Sequence, residues 1–328
     1  AYLDANPDFE GLIGAVIYVN GGTYPETFEV DTPALHLHNL TADHPVIDAN
    51  GLIPVGSGPT ESAVFLSAGC TGIKGFSVIN SAANGIAVYP SSQKCSSALI
   101  NDAVLGDSVK VPCSIGRINI VDNIIYNNDD NGIRALECVV LINGNSIFEN
   151  TDDGIDADYL YTGVECIDPD AITHDPAASE IIYNDIYGNG PSGQGVWEVW
   201  DPVTETWRFT SNPTACGTLP GWTDSGIQIR HTAQGRQGVD QIIYIVHNYI
   251  HENEHAGIFL WADATDASSY QIEHNAIIDN GIFGISTRAE VPALIDCKYN
   301  DIVGNEYWGI KNWVPETLVA KENYWGMP

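Results

Sequence analysis

The nine residues from Asn150 to Asp158 read Asn-Thr-Asp-Asp-Gly-Ile-Asp-Ala-Asp. They place the carboxylates of Asp152, Asp153, Asp156 and Asp158 within seven positions. Left alone, such like charges repel one another and raise their pKa values. A bound Ca²⁺ removes that penalty, because it accepts several carboxylate oxygens at about 2.3–2.6 Å. Asp129 and Asp130 stand at the matching place one repeat earlier. The expected cation set is therefore Asp130, Asp152, Asp153 and Asp156. The plainer alternative is a group of turn aspartates bonding local amides. Asp156 and Asp158 also allow acid–base chemistry. Two residues along a strand span about 6.6 Å, inside the roughly 6.5–9.5 Å separation used by inverting glycosidases.

What positions these residues is a repeat, Asn-x-Ile-x-x-Asn-x-x-x-Gly-Ile. It runs through Asn123, Ile125, Asn128, Gly132 and Ile133, and returns from Asn145, Asn248, Asn275 and Asn300. A degenerate copy begins at Phe76 and a further one is read at Asn101, Ala103 and Gly106. Gly132 to Gly154 is 22 residues, Gly284 to Gly309 is 25, and Gly85 to Gly132 is 47, the length of two repeats. A period in the twenties with short apolar alternations predicts an all-β fold, a right-handed parallel β-helix over residues 1–328 as one domain. Isoleucines then form interior ladders, asparagines form amide ladders at turns, and the glycine supplies a turn conformation closed to a Cβ. The long Gly154–Gly226 interval predicts two loop insertions, about 159–178 and 190–223. Within the second, alternation from Gln194 to Phe209 predicts a β-hairpin turning near Asp201–Glu205.

Stacking the repeats aligns two columns after the glycine. One holds Arg134, Asp156, Gln228, Phe259, Ser286 and Lys311; the other holds Leu136, Asp158, Arg230, Trp261, Arg288 and Trp313. Strand alternation directs both away from the core. Acids, arginines and tryptophans side by side suit a sugar chain, with Arg134, Gln228, Trp261, Arg288 and Trp313 as binding groups and Arg230, Asp156 and Asp158 as candidate catalytic groups. An ordinary solvated sheet face is the alternative. His247 and His274 precede template asparagines and are expected to stack as a surface ladder.

Composition narrows the partners. The chain carries 43 Asp+Glu against 12 Lys+Arg, a formal charge of −31, although only 17% of residues are charged. Such a chain has no electrostatic footprint for nucleic acid. It holds no apolar run long enough to span a bilayer. Seven cysteines indicate an oxidising, extracellular or cell-surface setting. The chain opens without a secretory signal, as a processed N-terminus would. Cys70 and Cys95 occupy equivalent repeat positions, Cys113 and Cys138 are again 25 apart, and Cys166 and Cys216 fall in the two insertions. Three pairings follow as expectations: Cys70–Cys95, Cys113–Cys138 and Cys166–Cys216. Cys297 replaces an interior isoleucine and is expected to be a buried free thiol.

Two resemblances add to this. The segment Ala15–Val19 with Gly22-Thr23-Tyr24-Pro25-Glu26, followed by Pro45-Val46-Ile47-Asp48, resembles the opening coils of secreted β-helix carbohydrate enzymes. Asp152-Asp153-Gly154-Ile155-Asp156 resembles the calcium motif of the family 9 polysaccharide lyases. The resemblance implies Ca²⁺ bridging an acidic polysaccharide, with a lysine two residues after a turn glycine removing the α-proton. Here that place is Gln228, which cannot act as a base; Arg230 lies two residues on and is the substitute. A non-catalytic surface protein, stacking with copies of itself through open β-helix ends, is the reading of a different class.

Overall fold

The computed structural model describes residues 15–90, 98–101, 108–111, 116–160, 163–164, 176–190, 197–201, 206–210, 218–220, 225–231, 242–262, 269–289, 294–312 and 318–326. Three parallel sheets of ten, nine and nine strands run the length of the chain, one strand per coil. Each coil contributes in turn to the first, second and third sheet. Asn143 ends one strand, Ser146–Phe148 forms the next, and Ile155–Leu160 follows. The same order recurs up the stack, which is the expected parallel β-helix. Among the described residues, no helix is long and apolar enough to cross a membrane.

The interior is built as the repeat implies. Ile125, Ile147, Ile186, Ile250 and Ile277 stack rung on rung with no exposure. A second isoleucine ladder, Ile142, Ile181, Ile245 and Ile272, ends in Cys297, a buried free thiol whose pKa burial pushes up to about 12. Amide ladders close two corners. The Asn145 Nδ2 donates to Asn184 Oδ1 at 2.9 Å, Asn184 to Asn248 at 3.0 Å and Asn248 to Asn275 at 3.0 Å. An amide carries both donor and acceptor, so each rung can bond the next; its second N–H goes to an isoleucine carbonyl, as from Asn145 to Ile120 at 2.9 Å.

Four expectations require correction. The template glycines do not adopt a left-handed backbone. They are required by close approach: a Cβ on Gly132 would stand 2.5 Å from Ile147 Cγ2 and 2.7 Å from the Gly154 carbonyl of the next coil. The left-handed positions precede the asparagines instead, as at Asp122, Tyr183, His247, His274 and Tyr299. Secondly, no coil lies between Gly85 and Gly132. Ile86 pairs directly with Ile133, and Ala98–Asn101 pairs antiparallel with Ser108–Val111 outside the solenoid. The 47-residue interval matched two coils in length alone.

The third correction concerns cysteines. Cys138 is a free thiol with no exposure, so Cys113–Cys138 does not form. Cys70 is disulfide-bonded; Cys95, Cys113, Cys166 and Cys216 lie outside the described residues. The fourth concerns the columns after the glycine, whose burial is set out below. The hairpin in the second insertion is present: Trp197–Asp201 pairs antiparallel with Thr206–Thr210, and also with Thr218–Pro220. The histidine ladder is present too, as a stack of Tyr183, His247, His274 and Tyr299 with centroids 5.0, 5.0 and 5.1 Å apart.

Candidate functional site

The third sheet carries the acidic cluster. Its strands Ile133–Cys138, Ile155–Leu160 and Ile227–His231 pair in parallel. Ile133, Ala135, Ile155, Ala157, Ile227 and Ile229 point inward and are fully buried. Alternation then sends Arg134, Asp156 and Gln228 to the opposite face, directly opposite one another, with Leu136, Asp158 and Arg230 as the second rank. The register of both columns is the predicted one. Glu137 and Tyr159, both with left-handed backbones, turn their strands immediately after this rank.

The predicted exposure is not found. Arg134, Asp156, Gln228, Phe259 and Ser286 are all buried, at 1–7% exposure. For Arg134 and Asp156 the physical reason is mutual cover by oppositely charged side chains. Arg134 spans two carboxylates, ion-pairing with Asp156 and Asp158 across the coil boundary. Arg230 approaches the same pair from the other side. Its Nη2 donates to Asp156 Oδ2 at 2.7 Å and its Nε to Asp158 Oδ1 at 3.0 Å. A four-membered Arg–Asp–Arg–Asp network thus crosses three coils. Only its outer edge meets solvent: the Arg230 side chain is 32% exposed and Asp158 18%.

Its electrostatics follow from that burial. Desolvation raises the Asp156 pKa, opposed by Arg134 and Arg230 and reinforced by Asp158 and Asp130. Desolvation also raises Asp130, opposed by Arg134 and by hydrogen bonds from the Asn131 backbone and from Asp152. For Arg230 burial works against the charge, but Asp156, Asp158 and Asp153 together raise its pKa above the usual guanidinium value. Asp156 Oδ1 is buried with no hydrogen-bond partner.

Asp153 has a different role from the one its sequence setting implies. It occupies the pre-glycine corner, where Asn84 and Asn131 form a third side-chain ladder. Its own N–H donates to Asn131 Oδ1 at 3.1 Å. Its Oδ1 accepts the Ser225 N–H at 2.5 Å and its Oδ2 the Gln228 amide at 2.6 Å. The signal was available: Asn84, Asn131, Asp153 and Ser225 share one repeat position. The pairing of Arg134 with Asp156 was not, because register aligns residues without saying which bond one another.

A Ca²⁺ ion does not fit this arrangement. Both Asp153 oxygens are committed, and Asp156 and Asp158 are already neutralised by guanidinium groups. Among the described residues, no group of three or more His, Cys, Asp or Glu side chains is placed to hold a metal. Of the remaining predicted groups, Trp261 pairs opposite Arg230 in the next coil and is partly exposed. The Arg288 backbone continues the column, its side chain lying outside the described residues, as does all of Trp313.

No protein-family model matches the sequence, and no curated protein matches it. Solved structures do. Pectate lyase Pel9A aligns at 10% identity over 94% of this chain and 65% of its own, with a TM-score of 0.45. The Dettilon tailspike protein gp208 aligns at 12% identity over 89% of this chain and 44% of its own, with a TM-score of 0.43. The periplasmic alginate epimerase AlgG aligns at 12% identity over 95% and 77%, with a TM-score of 0.38. The chain spans less than two thirds of the length of the first two. Likeness at these scores lends nothing to an assignment of activity; the site must carry it.

Proposed function

We propose that the protein is an extracellular or surface-displayed β-helix that binds acidic polysaccharide along the third sheet and does not cleave it. The observation that carries this reading is the state of Arg230. Two carboxylates orient the guanidinium and keep it charged, while its Nη1 edge takes part in neither bond. An oriented, permanently protonated arginine is a receptor for a uronate carboxylate. Trp261, one rung up, supplies an aromatic face for the adjoining ring, and Asp158 beside it accepts sugar hydroxyls.

The same geometry disfavours both cleavage chemistries. β-Elimination needs an unprotonated base at the sugar, and general-base strength requires a pKa near the working pH. Arg230 is shifted the other way, and the Gln228 amide is committed to Asp153. Inverting hydrolysis needs a water between two carboxyl groups. Asp156 is 4% exposed beneath two arginines, so that space is filled.

The test is affinity electrophoresis in gels containing polygalacturonate or alginate, with absorbance of any unsaturated product followed in parallel. Retardation that is lost in Arg230→Ala, without product, is the expected result. Product formation would overturn the non-catalytic reading, and unretarded migration with every uronan would overturn binding.

A further inference from the structure

Burial of the first rank leaves a ligand one column to read. Arg134, Asp156, Gln228, Phe259 and Ser286 are buried, so a chain lying on the third sheet meets the second rank alone. In register that rank runs Leu136, Asp158, Arg230 and Trp261, one residue per coil, each partly exposed. Coils rise by about 4.8 Å, close to the advance of one pyranose residue in an extended chain. A linear polysaccharide touching these rungs therefore runs along the solenoid axis, one sugar to a coil. The four rungs hold a single cation. Arg230 is flanked below by the Asp158 carboxylate and above by Trp261. The two arginines of the network only balance its two aspartates, in a chain of net charge −31. A polymer with a carboxylate on every residue would set one acid on Arg230, a second against Asp158 and a third over the Trp261 ring, whose face is itself negative. The last two contacts are repulsive. The next arginine position in the column, Arg288, comes two coils above Arg230 by backbone register.

We infer that the third sheet selects acidic polysaccharide by the spacing of its charges. It takes chains in which a uronate is flanked by neutral sugars, and it disfavours homopolyuronates. The uronate carboxylate meets the outer edge of the Arg230 guanidinium, the edge left over from its bonds to Asp156 and Asp158. The neutral residue below gives a hydroxyl proton to Asp158, which a carboxylate cannot do. The neutral residue above lays its C–H face on Trp261.

Selection of this kind rests on the binding proposed above, and affinity electrophoresis of the full chain at one salt concentration separates the two. One gel contains hyaluronan, whose uronate alternates with a neutral sugar. A second contains polygalacturonate, and a third the same polymer partly methyl-esterified, which keeps the backbone and thins the charge. The wild type is expected to bind hyaluronan and the partly esterified polymer at least tenfold more tightly than fully acidic polygalacturonate. Trp261→Arg puts a second cation on the adjacent rung. It is expected to raise the affinity for polygalacturonate at least tenfold and to abolish the preference. Where that variant does not fold, the wild-type comparison decides alone. Fully acidic polygalacturonate bound by the wild type as tightly as either of the other polymers overturns spacing selection and leaves the binding reading standing. A folded Trp261→Arg protein that keeps the wild-type preference also overturns it. Unretarded migration in all three gels overturns the binding reading, and selection with it.

Discussion

Two corners of the same coil solve one problem in different ways. At the corner of Asn145, Asn184 and Asn248, every rung is an amide that donates upward and accepts from below. At the pre-glycine corner the ladder runs through Asn84 and Asn131 and then meets Asp153. A carboxylate only accepts. From that rung on the ladder cannot copy itself: Asp153 takes the Ser225 N–H and the Gln228 amide, and on the strand beyond it Arg134 and Arg230 close over Asp156 and Asp158. One change from amide to carboxylate makes this rung depend on neutral donors from the next coil, beside a strand where charge is balanced by charge. The neutral corner is a frame that any coil can extend; the charged one is particular to three coils.

That contrast can be broken most severely at Arg134. Arg134→Ala leaves the buried Asp156 and the half-buried Asp158 underpaired and is expected to lose about 3–5 kcal/mol of unfolding free energy, measured by denaturant titration. Next comes the neutral frame. Asn184→Ala is expected to cost about 1–3 kcal/mol in total, its bonds along the ladder being coupled rather than additive. If it cost more than Arg134→Ala, the charged corner would not be the more fragile of the two.

A smaller effect is expected from restoring amide chemistry. In Asp153→Asn the Oδ1 still accepts from Ser225, and the Gln228 amide can turn to accept. The change should lie within about 1 kcal/mol of neutral; a loss like that of Arg134→Ala would place Asp153 among the charged groups. Asp130 and Asp156 give the pH dependence. Both folded pKa values lie above the unfolded Asp value, so the folded state holds protons more tightly. Their contribution is complete below about pH 3.9 and is lost as pH rises through the folded values. Asp130→Asn should flatten the melting temperature across that window. The smallest change is Glu149→Gly at a left-handed position, φ 53°, which should stabilise by up to about 1 kcal/mol.

Much of this was legible because a solenoid writes its register into the sequence. Asn123, Ile125 and Gly132 recur in step with the observed pairing, and the columns through Asp156 and Asp158 align as read. What stayed hidden needs three dimensions. Column alignment said that Arg134, Asp156 and Gln228 neighbour one another; it could not say that Arg134 and Arg230 would close over Asp156 and bury it. Interval length could not separate a coil from the hairpin strands at Ala98–Asn101 and Ser108–Val111. Cys138 shows the same limit, since equal spacing does not bring two sulfurs together.

The left-handed positions before the asparagines have one more consequence. Most proteins surrender such backbone to glycine, and with it the chance to hold a side chain there. Here the template glycines are elsewhere, pressed against the next coil, and the left-handed places, glycine at Gly144, Gly188 and Gly304, carry tyrosine, histidine, aspartate and glutamate in other coils. The fold thereby separates positions that admit no alphabet from positions that admit almost any. In a saturation library the two classes should split cleanly: Gly132, Gly154 and Gly257 intolerant of every substitution, and Tyr183, His247 and His274 freely editable, a row of signs spaced by the rise of the solenoid.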